Sequence, residues 1–140
     1  MPSIIPKEFL KYFEDLTATN SICVALGTTF TKARTLFIGQ EPPDKSPCLT
    51  IIPYGGAPPT PEGDRQYSNV QIRIRANTLQ KSLETGQQVI NNLHANTKVC
   101  ASCNGKVLAV QSQPVTYSVE EGGEEQVVVT NFEVIHTKIS

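Results

Sequence analysis

Between Tyr67 and Thr97 the chain passes from one hydrophobic period to another. Val70, Ile72 and Ile74 alternate with Gln71, Arg73 and Arg75, which predicts a half-buried strand with one apolar, β-branched face and one polar, basic face. After Ala76 the spacing lengthens. Leu79, Leu83, Gly86, Ile90 and Leu93 fall along one helical stripe with Val89 at its edge, so a helix is predicted that lies on a sheet. Asn77 is placed to cap it by accepting from the amide of Gln80. Gly86 costs about 1 kcal/mol of helix propensity relative to alanine and is read as the closest approach of helix to sheet.

The same reading extends to the rest of the chain. Phe9, Leu10, Phe13 and Leu16 form an apolar face opposite Lys7, Lys11, Glu14 and Asp15, predicting a short amphipathic helix with Pro6 in its first turn. Ile22 to Lys32 fits a short apolar segment of either type. Arg34 to Gln40 and Cys48 to Tyr54 read as strands that pair with each other, with Pro53 limiting the ladder at one end. Gly55 to Gln66 carries three prolines and three glycines and is expected to be a solvent-facing loop, either a partner-reaching arm or a flexible connection. Beyond the Asn104-Gly105 turn, Lys106 to Gln113 reads as a strand that Pro114 interrupts, and Val115, Tyr117 and Val119 resume the alternation. Glu120, Glu121, Glu124 and Glu125 crowd a hairpin tip around Gly122-Gly123. Gln126 to Ile139 is the longest predicted strand, with Val128, Thr130, Phe132 and Val134 on one face and Val129, Asn131, Glu133 and Ile135 on the other. The expected fold is a single α+β domain over residues 1–140, a mixed, mainly antiparallel sheet with two helices packed on one face.

Composition narrows the function. Twelve basic and thirteen acidic residues give a net charge of -1, which offers no field for nucleic acid or an anionic membrane. No apolar run approaches the length of a membrane span, and the N-terminus lacks a leader pattern, so a cytosolic protein with reduced thiols is expected. Cys100 and Cys103 form one CxxC pair, whereas Cys23 and Cys48 lie in unrelated local patterns, so a shared zinc site would need tertiary coincidence. His94 and His136 sit near element ends outside any motif, and no dinucleotide, nucleotide or hydrolase signature occurs. Neither an enzyme, a metal centre nor a cofactor is expected. A small metal-binding or redox protein using Cys100 and Cys103 is the alternative from another class. Arg73 and Arg75 carry more information, because charges on a central strand must be solvated or paired. Either water washes an open face, or a neighbouring subunit supplies carboxylates to it, with the 120–125 tip as a source.

Several phrases together resemble the tail terminator, or tail completion, proteins of long-tailed bacteriophages, a group that includes related minor capsid proteins. They are the N-terminal helix from Lys7 to Leu16, SPCLTIIPYGGAPP from Ser46 to Pro59, VQIRIRA from Val70 to Ala76 leading into a helix, and TNFEVIH near the end. The resemblance spans most of the chain. It implies a structural virion protein of the tail, assembled in the host cytoplasm, that forms a homo-oligomeric, hexameric ring without cofactor. The ring would cap the tail tube protein, stop tube growth and dock the head completion or connector protein; another neck or minor capsid component is the alternative. The interface residues expected on this basis are Tyr54, Gly55, Gly56, Asp64, Arg65, Gln71, Arg73, Arg75, Glu120, Glu121, Glu124 and Glu125.

Overall fold

A computed structural model describes residues 4–32, 34–39, 47–54, 65–76, 78–99, 105–118 and 126–137. Helix α1 spans Ile4–Glu14 and helix α2 Ser21–Leu26; strands β1 (Leu36–Ile38), β2 (Cys48–Tyr54) and β3 (Arg65–Arg75) follow. Helix α3 is Leu79–Leu93, and strands β4 (Lys106–Ala109), β5 (Val115–Ser118) and β6 (Gln126–Thr137) complete the chain. The segment left open between Ile22 and Lys32 is therefore helical at its start. Asn20 accepts the amide of Ile22 at one end, and Gly27, at φ 87°, closes the other by donating to the Cys23 carbonyl.

The sheet order is β1-β2-β3-β6-β4, with β5 also on β6; β1 and β2 are parallel and every other pair is antiparallel. The two long strands, β3 and β6, pair from Arg65↔Thr137 to Arg75↔Val127 and form the backbone of the sheet. Strand β3 starts at Arg65, so Arg65 and Gln66 belong to the sheet rather than to the expected loop. β4 and β5 are two pieces of one edge strand. Between the pairs Ala109↔Phe132 and Val115↔Val129, residues 110–114 face only Thr130 and Asn131, a bulge that ends at the predicted interruption, Pro114.

Alternation decides which face is covered. Leu49 and Ile51 of β2, Val70, Ile72 and Ile74 of β3, and Phe132 and Val134 of β6 share one face and form a single buried cluster with Phe9 and Phe13 of α1, Ile22 and Leu26 of α2, and Val89, Ile90 and Leu93 of α3. α1 rests on β1 and β2, α3 rests on β3, β6 and β4, and α2 packs against α3. Three helices, the expected two and the two-turn α2, thus cover one face of a mainly antiparallel sheet. Edge-to-face packing of Phe13 on Phe30, with ring centroids 5.4 Å apart, anchors the α1 side.

Helix α3 differs from its predicted register in the first half. Thr78, not Asn77, is the N-cap, accepting from the Lys81 amide at 3.2 Å. The buried residues are Ser82, Thr85, Gly86, Val89, Ile90 and Leu93, while Leu79 is 37% exposed and Leu83 half-buried. The cause lies at Gly86. A Cβ there would stand 2.9 Å from Cγ1 of Val128 and 3.0 Å from Cβ of Pro114, so the helix lies against the sheet and the bulge where only small side chains fit. Thr85 tolerates burial because its hydroxyl donates to the Lys81 carbonyl at 2.7 Å.

Candidate assembly surface

The opposite face of the sheet carries no helix among the described residues. Register places Asn69, Gln71, Arg73 and Arg75 of β3 on it, between Ile52, Thr50 and Cys48 of β2 and Glu133, Asn131, Val129 and Val127 of β6. The alternation read in the sequence is therefore the one the strands adopt.

The face changes character along its length. At the Arg75 end, Cys48, Thr50, Val127 and Val129 are buried and Arg75 is only 4% exposed. Arg75 is enclosed within the subunit, which neither sequence expectation, an open wet face or a partner-filled one, anticipates. Neither Arg73 nor Arg75 is free, as the cost of an isolated buried charge requires. The Thr50 hydroxyl is buried there without a hydrogen-bond partner among the described residues. Toward the other end Asn69, Gln71, Arg73, Asn131 and Glu133 are half-buried. The Gln71 amide donates to Asn131 at 3.3 Å, and Asn131 in turn donates to Gln111 in the edge bulge at 3.3 Å. This relay links three polar side chains across β3, β6 and the edge bulge into one hydrogen-bonded patch.

Of the other expected interface residues, Tyr54 ends β2 opposite Asn69 and Arg65 begins β3 opposite Thr137, so both stand at the polar end of the sheet. Gly55, Gly56, Asp64, Glu120, Glu121, Glu124 and Glu125 lie outside the described residues, though Ser118 and Gln126, which flank the acidic run, are paired. Cys100 and Cys103 also lie outside them. Cys23 packs in the helix-covered core and Cys48 on the opposite face, so the sheet separates the two. Both are buried and neither forms a disulfide among the described residues, and burial raises the Cys23 thiol pKa. Among the described residues no three His, Cys, Asp or Glu side chains gather as a metal site.

The histidines are more engaged than their positions in the sequence imply. His136, near the end of β6, is 2% exposed, with Nε2 2.8 Å from the Ser68 hydroxyl. His94 follows α3, and its Nδ1 accepts the backbone amide of Ala109 at 3.0 Å, which puts the ring proton on Nε2. Asn96 joins three elements. Its side chain donates to the Asn92 carbonyl at 3.0 Å, accepts from the Lys98 amide at 2.6 Å and hydrogen-bonds Tyr12 of α1. Burial raises the Tyr12 pKa, and that hydrogen bond partly offsets the rise. No local motif marks His94, Asn96 or Gln111, because their partners lie on other elements.

The described residues thus form a six-stranded α+β domain with three helices on one face of the sheet and a half-exposed polar patch on the other. The sequence profile of the family described as "Bacteriophage tail terminator protein" matches residues 6–137, and the chain belongs to that family. It is a structural component of a phage tail. No curated protein sequence matches it. Among solved structures it is similar to a chain of the virion of a native gene transfer agent particle, with a TM-score of 0.69, 11% identity and 92% of each chain covered. At that identity the likeness shows the fold alone.

Proposed function

We propose that the protein acts as a tail terminator in the full sense: copies related by rotation assemble into a ring that caps the tail tube, halts its elongation and presents the surface to which the head connector docks. The family match over residues 6–137 carries this reading. The fold supplies what such a ring needs. One face of the sheet is committed to the subunit's own helices, and the half-exposed patch of Gln71, Arg73, Asn131 and Glu133 carries both charge signs on a rigid strand pair. Arg75, enclosed on the same face, closes one end of the patch, and Tyr54 and Arg65 stand at the other end of the sheet.

Arg73→Glu reverses one charge on this patch beside Val129 and Thr50. Sedimentation velocity is expected to show weakened self-association while circular dichroism remains that of the folded subunit. An unchanged oligomer would remove the patch from the interface.

A further inference from the structure

A sheet edge exposes unpaired backbone amides and carbonyls, and in a protein that must assemble through a defined surface it offers a competing way to associate. Pairing of one edge with its own copy gives a closed two-fold dimer, and pairing with a different edge need not close and leads to filaments; either competes with the intended assembly. On β4 the outward groups are already occupied by the chain itself. The amide of Ala95 donates to the Val107 carbonyl at 2.7 Å, and the amide of Val107 donates to the Asn96 carbonyl at 2.9 Å. Two residues further along the edge the backbone no longer follows, and His94 Nδ1 takes the amide of Ala109 instead, at 3.0 Å.

We infer that His94, Ala95 and Asn96 form an edge guard, a three-residue substitute for a strand that closes β4 to a second copy of the subunit. Two further observations fit that role. Ala95 sits at φ 63°, a left-handed conformation unfavourable for any residue with a Cβ, and that bend turns the chain out of α3 and back along β4. The side chain of Asn96 then fixes the turn to the end of α3, to the 98–99 backbone and to α1. The guard is thinnest at Ala109, where a single imidazole does what a strand would otherwise do. It stands next to the bulge, with the exposed Val110 following it, so an uncapped Ala109 would offer a donor beside an apolar side chain.

The test compares His94→Ala, which removes the acceptor, with His94→Asn, whose Oδ1 takes the place of Nδ1. Hydrogen exchange is read at the single amide of Ala109, with the Val107 amide as internal control. Ala109 should exchange about tenfold faster in His94→Ala, the loss of one net hydrogen bond, and near the original rate in His94→Asn. Val107 should hold its rate in both. In sedimentation, His94→Ala should form species larger than those of the unaltered protein at equal concentration. Adding Ala109→Pro, which removes the donor itself, should abolish them. Ala109 exchange that is unchanged in His94→Ala, or a size distribution that is unchanged despite faster exchange, would overturn the inference. If His94→Ala does not fold, faster Ala109 exchange and larger species must appear in His94→Leu, and their absence there overturns it equally.

Discussion

Replacing Gly86 with alanine sets two effects of known sign against each other. Helix propensity alone favours alanine by about 1 kcal/mol in the middle of α3. The new methyl, however, would lie 2.9 Å from Cγ1 of Val128, 3.0 Å from Cβ of Pro114 and 3.2 Å from its Cγ. Relaxed carbon contacts lie at about 3.5–4.0 Å, so all three are too short. Neither neighbour yields easily, because Val128 is β-branched and fully buried and the atoms of Pro114 are fixed in a ring. Overpacking of this kind costs about 1–3 kcal/mol, which outweighs the propensity gain and leaves a net loss of roughly 1 kcal/mol. Urea unfolding at an unchanged m value measures it. In a Val128→Ala background the clash with Cγ1 is gone, and the cost of Gly86→Ala should shrink or change sign. A gain of about 1 kcal/mol from Gly86→Ala in the unaltered protein would mean that propensity acts alone and that the helix does not meet the bulge at this residue.

Three further outcomes follow from single contacts. Thr78→Ala removes the acceptor for the Lys81 amide and should lower stability by about 1 kcal/mol in the same unfolding assay, whereas Asn77→Ala should not reproduce that loss. Ala95→Gly relieves a left-handed alanine at φ 63°, and the relief of about 1–2 kcal/mol should exceed the added chain entropy of glycine, so the midpoint of unfolding should rise. Cys23 reacts through its thiolate, which burial disfavours; in a Cys100→Ser/Cys103→Ser background it should resist alkylation until denaturant is added, as followed by mass spectrometry, and rapid native labelling would contradict its placement in the core.

The parts of the fold that could be read from the sequence are those in which one residue's environment is set by its own strand or helix. β3 alternates cleanly because one face meets helices and the other does not, so Val70, Ile72 and Ile74 separate from Gln71 and Arg73 without any knowledge of partners. Gly86 was equally legible, since a glycine inside a strong helical pattern signals a close neighbour. The rotation of α3 toward Ser82 and Thr85 was not, because hydrophobicity points to Leu79 and Leu83 while available space selects small side chains. Arg75 illustrates a second limit: its alternation with Ile74 is visible, but its enclosure depends on Cys48 and Val127 from strands far along the chain. The same holds for His94, whose partner Ala109 is fixed only when β4 folds back beside the end of α3.

Tail tubes assembled from purified tube protein, with and without this protein, test the central claim most directly when their lengths and ends are measured by electron microscopy. Termination by a ring predicts that added protein stops elongation and leaves a ring-shaped density at one end of each tube. Tubes that continue to lengthen in its presence, with bare ends, would contradict the account.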